Sequence, residues 1–328
     1  MIEIVAPGPL ATIQDAGRTG FSAVGVGPCG AMDSIALRIG NRMLGNAEDA
    51  AGIEFTIGAF EILFHRDTRF ALTGADCAAR LDGVPMPPFW CMAARAGQRL
   101  KAGAAAHGMR AYLTVEGGLS VASVLGSAST DLKGGFGGLD GRALRSGDRL
   151  DLVGAPSSGM PADYGLDPGE LGLLHEGAAG AGEAIVVDYV PAAEYDAFTD
   201  EAIETFAGTE WKIHPDSNRI GYRLTGPQLA LKHRLELRSH GILPGTIQVP
   251  PSGQPVVQLS DANTCGGYPK IGVVATADLW RLGQARLGDR VRFRRITAAH
   301  AVDRLRARES AMGSLFERLD DVLGALAS

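Results

Sequence analysis

Apolar residues recur at alternate positions in short runs along most of this chain, the period of a strand with one buried face. Met1 to Val5 alternates, and residues 59–64 and 70–72 are short apolar runs. Residues 111–116 predict a strand that ends at Gly117-Gly118. Further strands are predicted over 151–153, 184–190, 245–249, 255–259 and 271–277. The segment 290–296 places Val291 and Phe293 on one face. Short strands separated by glycine-rich turns favour barrels or sandwiches over a doubly wound sheet.

Helical spacing is rarer. Asp33 suits the cap of a helix over 34–44 that stops at Gly45. A second helix is expected over 193–206, and a third begins at Thr276 or Asp278 and runs to Ala285. The longest pattern covers 297–326, with Leu305, Met312, Leu315, Leu319, Val322 and Leu323 forming a stripe. Residues 154–182 are rich in Gly, Pro, Ala and Ser and read as a linker. The expected organisation is therefore a β domain over 1–153, a linker over 154–182, a β domain over 183–296 and a helical tail over 297–328. Two patterns recur on either side of the linker. Asp15 to Phe21 and Asp216 to Tyr222 share the form D-x-x-R-x-G-aromatic, and Gly-Asp-Arg stands at 147–149 and at 288–290. Two related β domains account for both.

Composition narrows the function classes. The chain has 328 residues, 45% of them hydrophobic and 21% charged, with a net charge of −6 and no basic stripe, so nucleic-acid binding has little support. The N-terminus lacks a basic region followed by an apolar core, and no long apolar window predicts a membrane span. The four cysteines match no zinc or redox spacing and are expected as free thiols in the cytoplasm. Glycine makes up about 14% of the chain, twice the usual ~7%, which implies many turns and close backbone approaches.

Several motifs mislead. Residues 25–30 fit G-x-G-x-x-G, but no apolar strand precedes them, so a dinucleotide site is not expected. No P-loop, H-E-x-x-H or G-x-S-x-G pattern occurs, and the histidines form no ligand-spaced pair, so no metal is expected.

Three polar, glycine-bracketed stretches remain, built around Asp15, Arg18 and Asp33, around Asn218 and Arg219, and around Gln248 through Tyr268 and Lys270. Amides match the donor-acceptor pair of a urea or lactam, and guanidinium groups bind carboxylates in bidentate fashion. A lysine beside an apolar strand can lose basicity by desolvation and act as a base or an oxyanion partner. Asp15 and Asp33 are candidate bases, with turn capping the other role open to each.

The run Gln14-Asp15-Ala-Gly17-Arg18 and the turn Gly30-Ala-Met32-Asp33 resemble one family, as do Ser217-Asn218-Arg219, Ile247-Gln248-Val-Pro250 and Gly266-Gly267-Tyr268-Pro269. It is the biotin-dependent carboxyltransferase-like family that includes the 5-oxoprolinase C subunit, also called KipA or the second allophanate hydrolase subunit. The resemblance runs in order from about residue 3 to 296 and leaves the tail outside. It implies a mainly β fold of two cyclophilin-like β-barrel domains. It also implies a cytoplasmic protein that works with 5-oxoprolinase subunits A and B, one of them KipI-like, in ATP-dependent opening of 5-oxoproline to glutamate. No cofactor would be bound by this chain alone; the complex would use ATP, and biotin would visit as a carrier. In that setting Lys270 and Asp15 are the expected catalytic residues. Asn218, Arg219, Gln248, Tyr268, Arg18 and Asp33 are the expected substrate contacts. Two other readings stand beside it. One is carboxyl transfer from carboxybiotin to urea or a related amide, and the other is a regulatory protein without chemistry that binds a KipI-like partner.

Overall fold

The computed structural model describes residues 1–154, 163–169, 172 and 183–327. It is mainly β, as the alternation predicts, and divides into two compact units. The first comprises residues 1–18, 29–178 and 312–328; the second comprises 19–28 and 179–311.

In the first unit two six-stranded sheets enclose one core. One sheet orders its strands Arg149–Leu150, Ile2–Ala6, Glu61–Phe64, Arg99–Lys101, Ala79–Leu81 and Val84–Met86. The other orders Tyr164–Gly165, Trp90–Ala94, Thr68–Asp76, His107–Val115, Gly52–Thr56 and Leu10–Gln14. Ile2, Ile4, Phe55, Phe60, Phe64, Phe70 and Leu113 fill the space between them, and Phe55 stacks on Phe60 with ring centroids 3.8 Å apart. The helix Ser34–Arg42 lies on the second sheet. Gly40 lets it approach, since a Cβ there would meet Thr114 Oγ1 at 2.9 Å. Much of the expected linker lies outside the described residues; within it, Tyr164–Gly165 pairs with Trp90 and Cys91.

The second unit is a closed barrel. Its strands run in the order Ile185–Pro191, Lys270–Val274, Thr246–Gln248, Val256–Gln258, Gly221–Thr225, Trp211–Ile213 and Arg290–Arg295. The last pairs in parallel with the first, Ile185 opposite Val291, and closes an otherwise antiparallel ladder. Tyr189, Phe206, Trp211 and Phe293 form an aromatic plug, with Phe206 stacked on Phe293 at 4.6 Å and edge-on to Tyr189 at 5.1 Å. Gly-Asp-Arg takes the same form in both units. Gly147 and Gly288 hold φ of 88° and 95°, and Asp148 and Asp289 accept from the backbone N–H three residues earlier, at 2.7 and 2.8 Å.

One expected helix and one expected strand shift. Residues 193–206 do not form one helix: a 3-10 turn at Tyr195–Ala197 precedes the helix Asp200–Gly208, because the Thr199 hydroxyl caps Ala202 N–H at 3.1 Å and starts it late. The expected strand over 271–277 ends at Val274, where Thr276–Asp278 turns into the helix Leu279–Gln284. In the terminal helix Ala298–Ala327, Met312, Leu315, Phe316 and Leu319 are buried, whereas Val322 of the expected stripe is 43% exposed.

Arg304 fastens the early part of that helix to the barrel. Its guanidinium donates to both carboxylate oxygens of Asp278, at 2.8 and 2.9 Å, and to Asp188, while Arg294 donates to Asp188 at 2.6 Å. Both aspartates are almost fully buried, so their charges depend on these partners. Arg304→Ala is therefore expected to lower unfolding stability by about 3 kcal/mol, measured by urea denaturation. A loss below about 0.5 kcal/mol would contradict the clamp.

Candidate functional site

Period-two alternation sorts the barrel residues into two sets. Tyr222, Ile247, Val257 and Ile271 point into the core and are fully buried. Their neighbours Gly221, Arg223, Gln248, Val256 and Gln258 point outward and line one cleft of about 340 Å³. Asp216, Asn218, Asn263 and Tyr268 also stand in its wall, and Tyr268 is 48% exposed. A second hollow of about 480 Å³ shares Asp216, Arg223, Pro250 and Val256 with it and extends toward His214.

Gln248 carries the sharpest signal in this cleft. It is 5% exposed, and its Oε1 accepts from Gln258 Nε2 at 3.0 Å, while its Nε2 is buried with no hydrogen-bond partner. An unsatisfied buried amide costs about 1–3 kcal/mol, which a ligand acceptor would recover. Gly266 makes room for that amide, because a Cβ at 266 would stand 2.4 Å from Gln248 Nε2. Asn218 holds the floor of the adjoining turn, its Oδ1 accepting from Ile220 N–H at 2.9 Å.

Arg219 does not line the cleft. It donates from Nε and Nη2 to the two carboxylate oxygens of Asp261, each at 2.9 Å, and both residues are buried. The guanidinium that does line it is Arg223, two strand positions from Gly221 on the same outer face and itself exposed.

Lys270 is also outside the cleft wall. A register shift opposite Gln248 leaves Ile271 as the extra residue of a bulge, and bulges redirect side chains. Here Lys270 Nζ lies 3.4 Å from Glu194 Oε2 and donates to the Tyr268 carbonyl at 3.2 Å. The lysine is 6% exposed and ties the turn that carries Tyr268 to the barrel.

The residues of the first unit are likewise engaged. Asp15 accepts from Gly17 N–H at 2.7 Å and from Ser127 Oγ, Ser129 Oγ and Ala128 N–H at 2.6 Å each, so the carboxylate is saturated with donors. Arg18 donates to the Ser129 carbonyl at 2.5 Å and covers the Phe136 ring at 4.8 Å. Asp33 caps the helix Ser34–Arg42 by accepting from Ala36 N–H at 3.0 Å, and its own N–H donates to Tyr112 Oη at 2.8 Å. Tyr112 in turn donates to Glu54 at 2.7 Å; burial, with the Glu54 carboxylate beside it, raises the phenol well above its usual pKa. Of the eight expected residues, the structure brings Asn218, Gln248 and Tyr268 into one cleft. The repeated D-x-x-R-x-G-aromatic pattern explains much of the rest, since Arg18 and Arg219 both fold inward as buried fasteners.

Arg223, which belongs to the polar stretch around Asn218 and Arg219, and Gln258 line the cleft without being among the eight expected residues. Alternation was the available signal, because each flanks a core residue, Tyr222 or Val257. Among the described residues, no cluster of His, Cys, Asp or Glu suits a metal ion, and no helix is long and apolar enough to cross a membrane. The glycine-rich segment at 25–30 follows a single 3-10 turn, Ser22–Val24, which is not the strand that a dinucleotide site needs.

A family model described as carboxyltransferase domain, subdomain A and B, matches residues 24–295. The chain belongs to that family. It is 43% identical over 293 residues to the 5-oxoprolinase C subunit of Escherichia coli (strain K12), covering 89% of this chain and 90% of the relative. It is 39% identical over 321 residues to the 5-oxoprolinase C subunit of Haemophilus influenzae, covering 98% and 99%. Among solved structures, the Kluyveromyces lactis urea carboxylase aligns with a TM-score of 0.86 at 30% identity, over 97% of this chain but 29% of that chain.

The different duties of the two arginines are testable by mutation. Arg219→Ala leaves Asp261 buried without its partner and is expected to cost about 3–5 kcal/mol in chemical denaturation. Arg223→Ala is expected to change stability by less than about 0.5 kcal/mol. Equal costs for the two would refute the separation of roles.

Proposed function

We propose that this chain is the C subunit of a cytoplasmic, ATP-dependent 5-oxoprolinase, opening the lactam of 5-oxoproline to glutamate together with subunits A and B. The observation that carries the reading is near full-length similarity, at 43% and 39% identity, to two proteins named as C subunits of 5-oxoprolinase. The cleft on the barrel face supports it chemically. The lactam carbonyl is an acceptor of the kind that Gln248 Nε2 lacks, and the carboxylate suits an exposed guanidinium. Asn218 and Tyr268 shape the walls of the same cleft. Lys270 acts as a positioning residue by holding the Tyr268 carbonyl, and Asp15, Arg18 and Asp33 hold turns in the first unit. In this reading ATP is used by the assembled complex with subunits A and B.

The likeness to urea carboxylase favours one second reading, transfer of a carboxyl group to urea or a related amide. Biotin would then supply the activated carboxyl as a visiting carrier, and its ureido carbonyl fits the unpartnered Gln248 amide.

Reconstitution with the two partner subunits separates these readings. The expected result is ATP-dependent glutamate release from 5-oxoproline, with Gln248→Ala lowering kcat/KM at least about tenfold. Turnover of urea with carboxybiotin, and none of 5-oxoproline, would replace the first reading by the second.

A further inference from the structure

Gln248 and Gln258 lie on adjacent strands of the barrel, on the outer face that lines the cleft. The Gln258 Nε2–Gln248 Oε1 bond of 3.0 Å consumes an acceptor of one amide and a donor of the other. It thereby fixes the orientation of both groups. Gln248 is left presenting its Nε2 donor, buried and without a partner. Gln258, 6% exposed, keeps its carbonyl oxygen as an acceptor. The bonded pair therefore leaves one amide donor and one amide acceptor uncommitted to each other. Glycine at 266 packs directly against the Gln248 amide, where a Cβ would stand 2.4 Å from Nε2 and displace it.

We propose that this glutamine pair reads the edge of a cis amide or cyclic ureido group. The ligand carbonyl accepts from Gln248 Nε2, and the adjacent ligand N–H donates to Gln258 Oε1. Arg223, exposed on the same face, takes an anionic substituent of the ligand. A lactam or cyclic urea carries C=O and N–H on the same side and can engage both glutamines. A linear secondary amide is trans, with the two groups on opposite sides, and can engage only one. Gln258 is thus a specificity-determining and positioning residue as well as a contact. Removing it takes away the acceptor and also frees the Gln248 amide to rotate. This inference rests on the reading of the cleft as the substrate site, and it adds the geometry by which a ring amide is chosen over an open one.

Titration calorimetry on the purified full-length chain tests it with four probes: 5-oxoproline, its N-methyl derivative, 2-imidazolidone and N-acetylalanine. Expected is binding of 5-oxoproline or 2-imidazolidone, weakened roughly tenfold or more by N-methylation, with N-acetylalanine weaker by a similar factor. Gln258→Met and Gln248→Glu are each expected to weaken the ring-amide probe by about tenfold or more while keeping the wild-type Tm within a few degrees. Two variants are used so that a folding defect in one does not decide the matter. Binding of 2-imidazolidone without 5-oxoproline keeps the paired-amide reader and discards 5-oxoproline as substrate. Equal affinity for the N-methylated or open-chain probe overturns the proposal. So does wild-type affinity in both variants, or binding of neither ring amide at millimolar concentrations.

Discussion

Closure of the seven-stranded ladder is the constraint on which the candidate site depends. Six strand pairings in an open sheet would leave two edges and no fixed inside. The parallel pairing of Ile185–Pro191 with Arg290–Arg295 removes those edges and gives every strand one inner and one outer face. Once Tyr222, Ile247, Val257 and Ile271 are committed to the core, period-two geometry sends Arg223, Gln248 and Gln258 outward together. Neither a linker nor a mobile loop is needed to assemble this cleft. The strands carry its central residues, and rigid elements position polar groups more sharply than loops do.

Buried ions act here as fasteners. Arg219 with Asp261, and Arg304 with Asp188 and Asp278, place full charges where only a partner with good geometry makes burial tolerable. Lys270 with Glu194 follows the same logic at longer distance. The chemical consequence is a division of labour. Several charged groups that looked suited to substrate from their sequence setting are paired within the fold, while amides, Asp216 and the exposed Arg223 face the cleft. The amide donors and acceptors of that wall suit a ligand whose reactive group is itself an uncharged amide.

Much of the fold was legible in the chain. Strands such as Ile185–Pro191 and Arg290–Arg295, the Asp33-capped helix and the terminal helix follow from period and capping, and the Gly-Asp-Arg turns mark equivalent corners in the two units. Leu10–Gln14, Gly52–Thr56 and Trp90–Ala94 were not expected, Gly52–Thr56 being buried at every position and so showing no alternation. Three-residue strands such as Ala79–Leu81 and Arg99–Lys101 are too short to show a period, and the late start at Thr199 is a capping choice made within an otherwise helical run. Three of the eight expected residues fall together in the candidate cleft. Gln248, Asn218 and Tyr268 were marked by polar residues in glycine-rich surroundings. Arg219 and Lys270 lie outside the cleft wall, and a one-dimensional pattern reveals neither a partner such as Asp261, 42 residues away, nor a bulge that turns a side chain aside. Gln258 carries no motif of its own, and it enters through its place on the outer face beside Val257 and its bond to Gln248.

A crystal structure of the full-length chain with 5-oxoproline bound tests the central claim most directly. The lactam carbonyl oxygen is expected within hydrogen-bond distance of Gln248 Nε2, with the ring N–H on Gln258 Oε1 and the carboxylate toward Arg223. A ligand seated instead on the Lys270 ammonium, or in the first unit beside Asp15 and Arg18, with the glutamine pair untouched, would contradict the account.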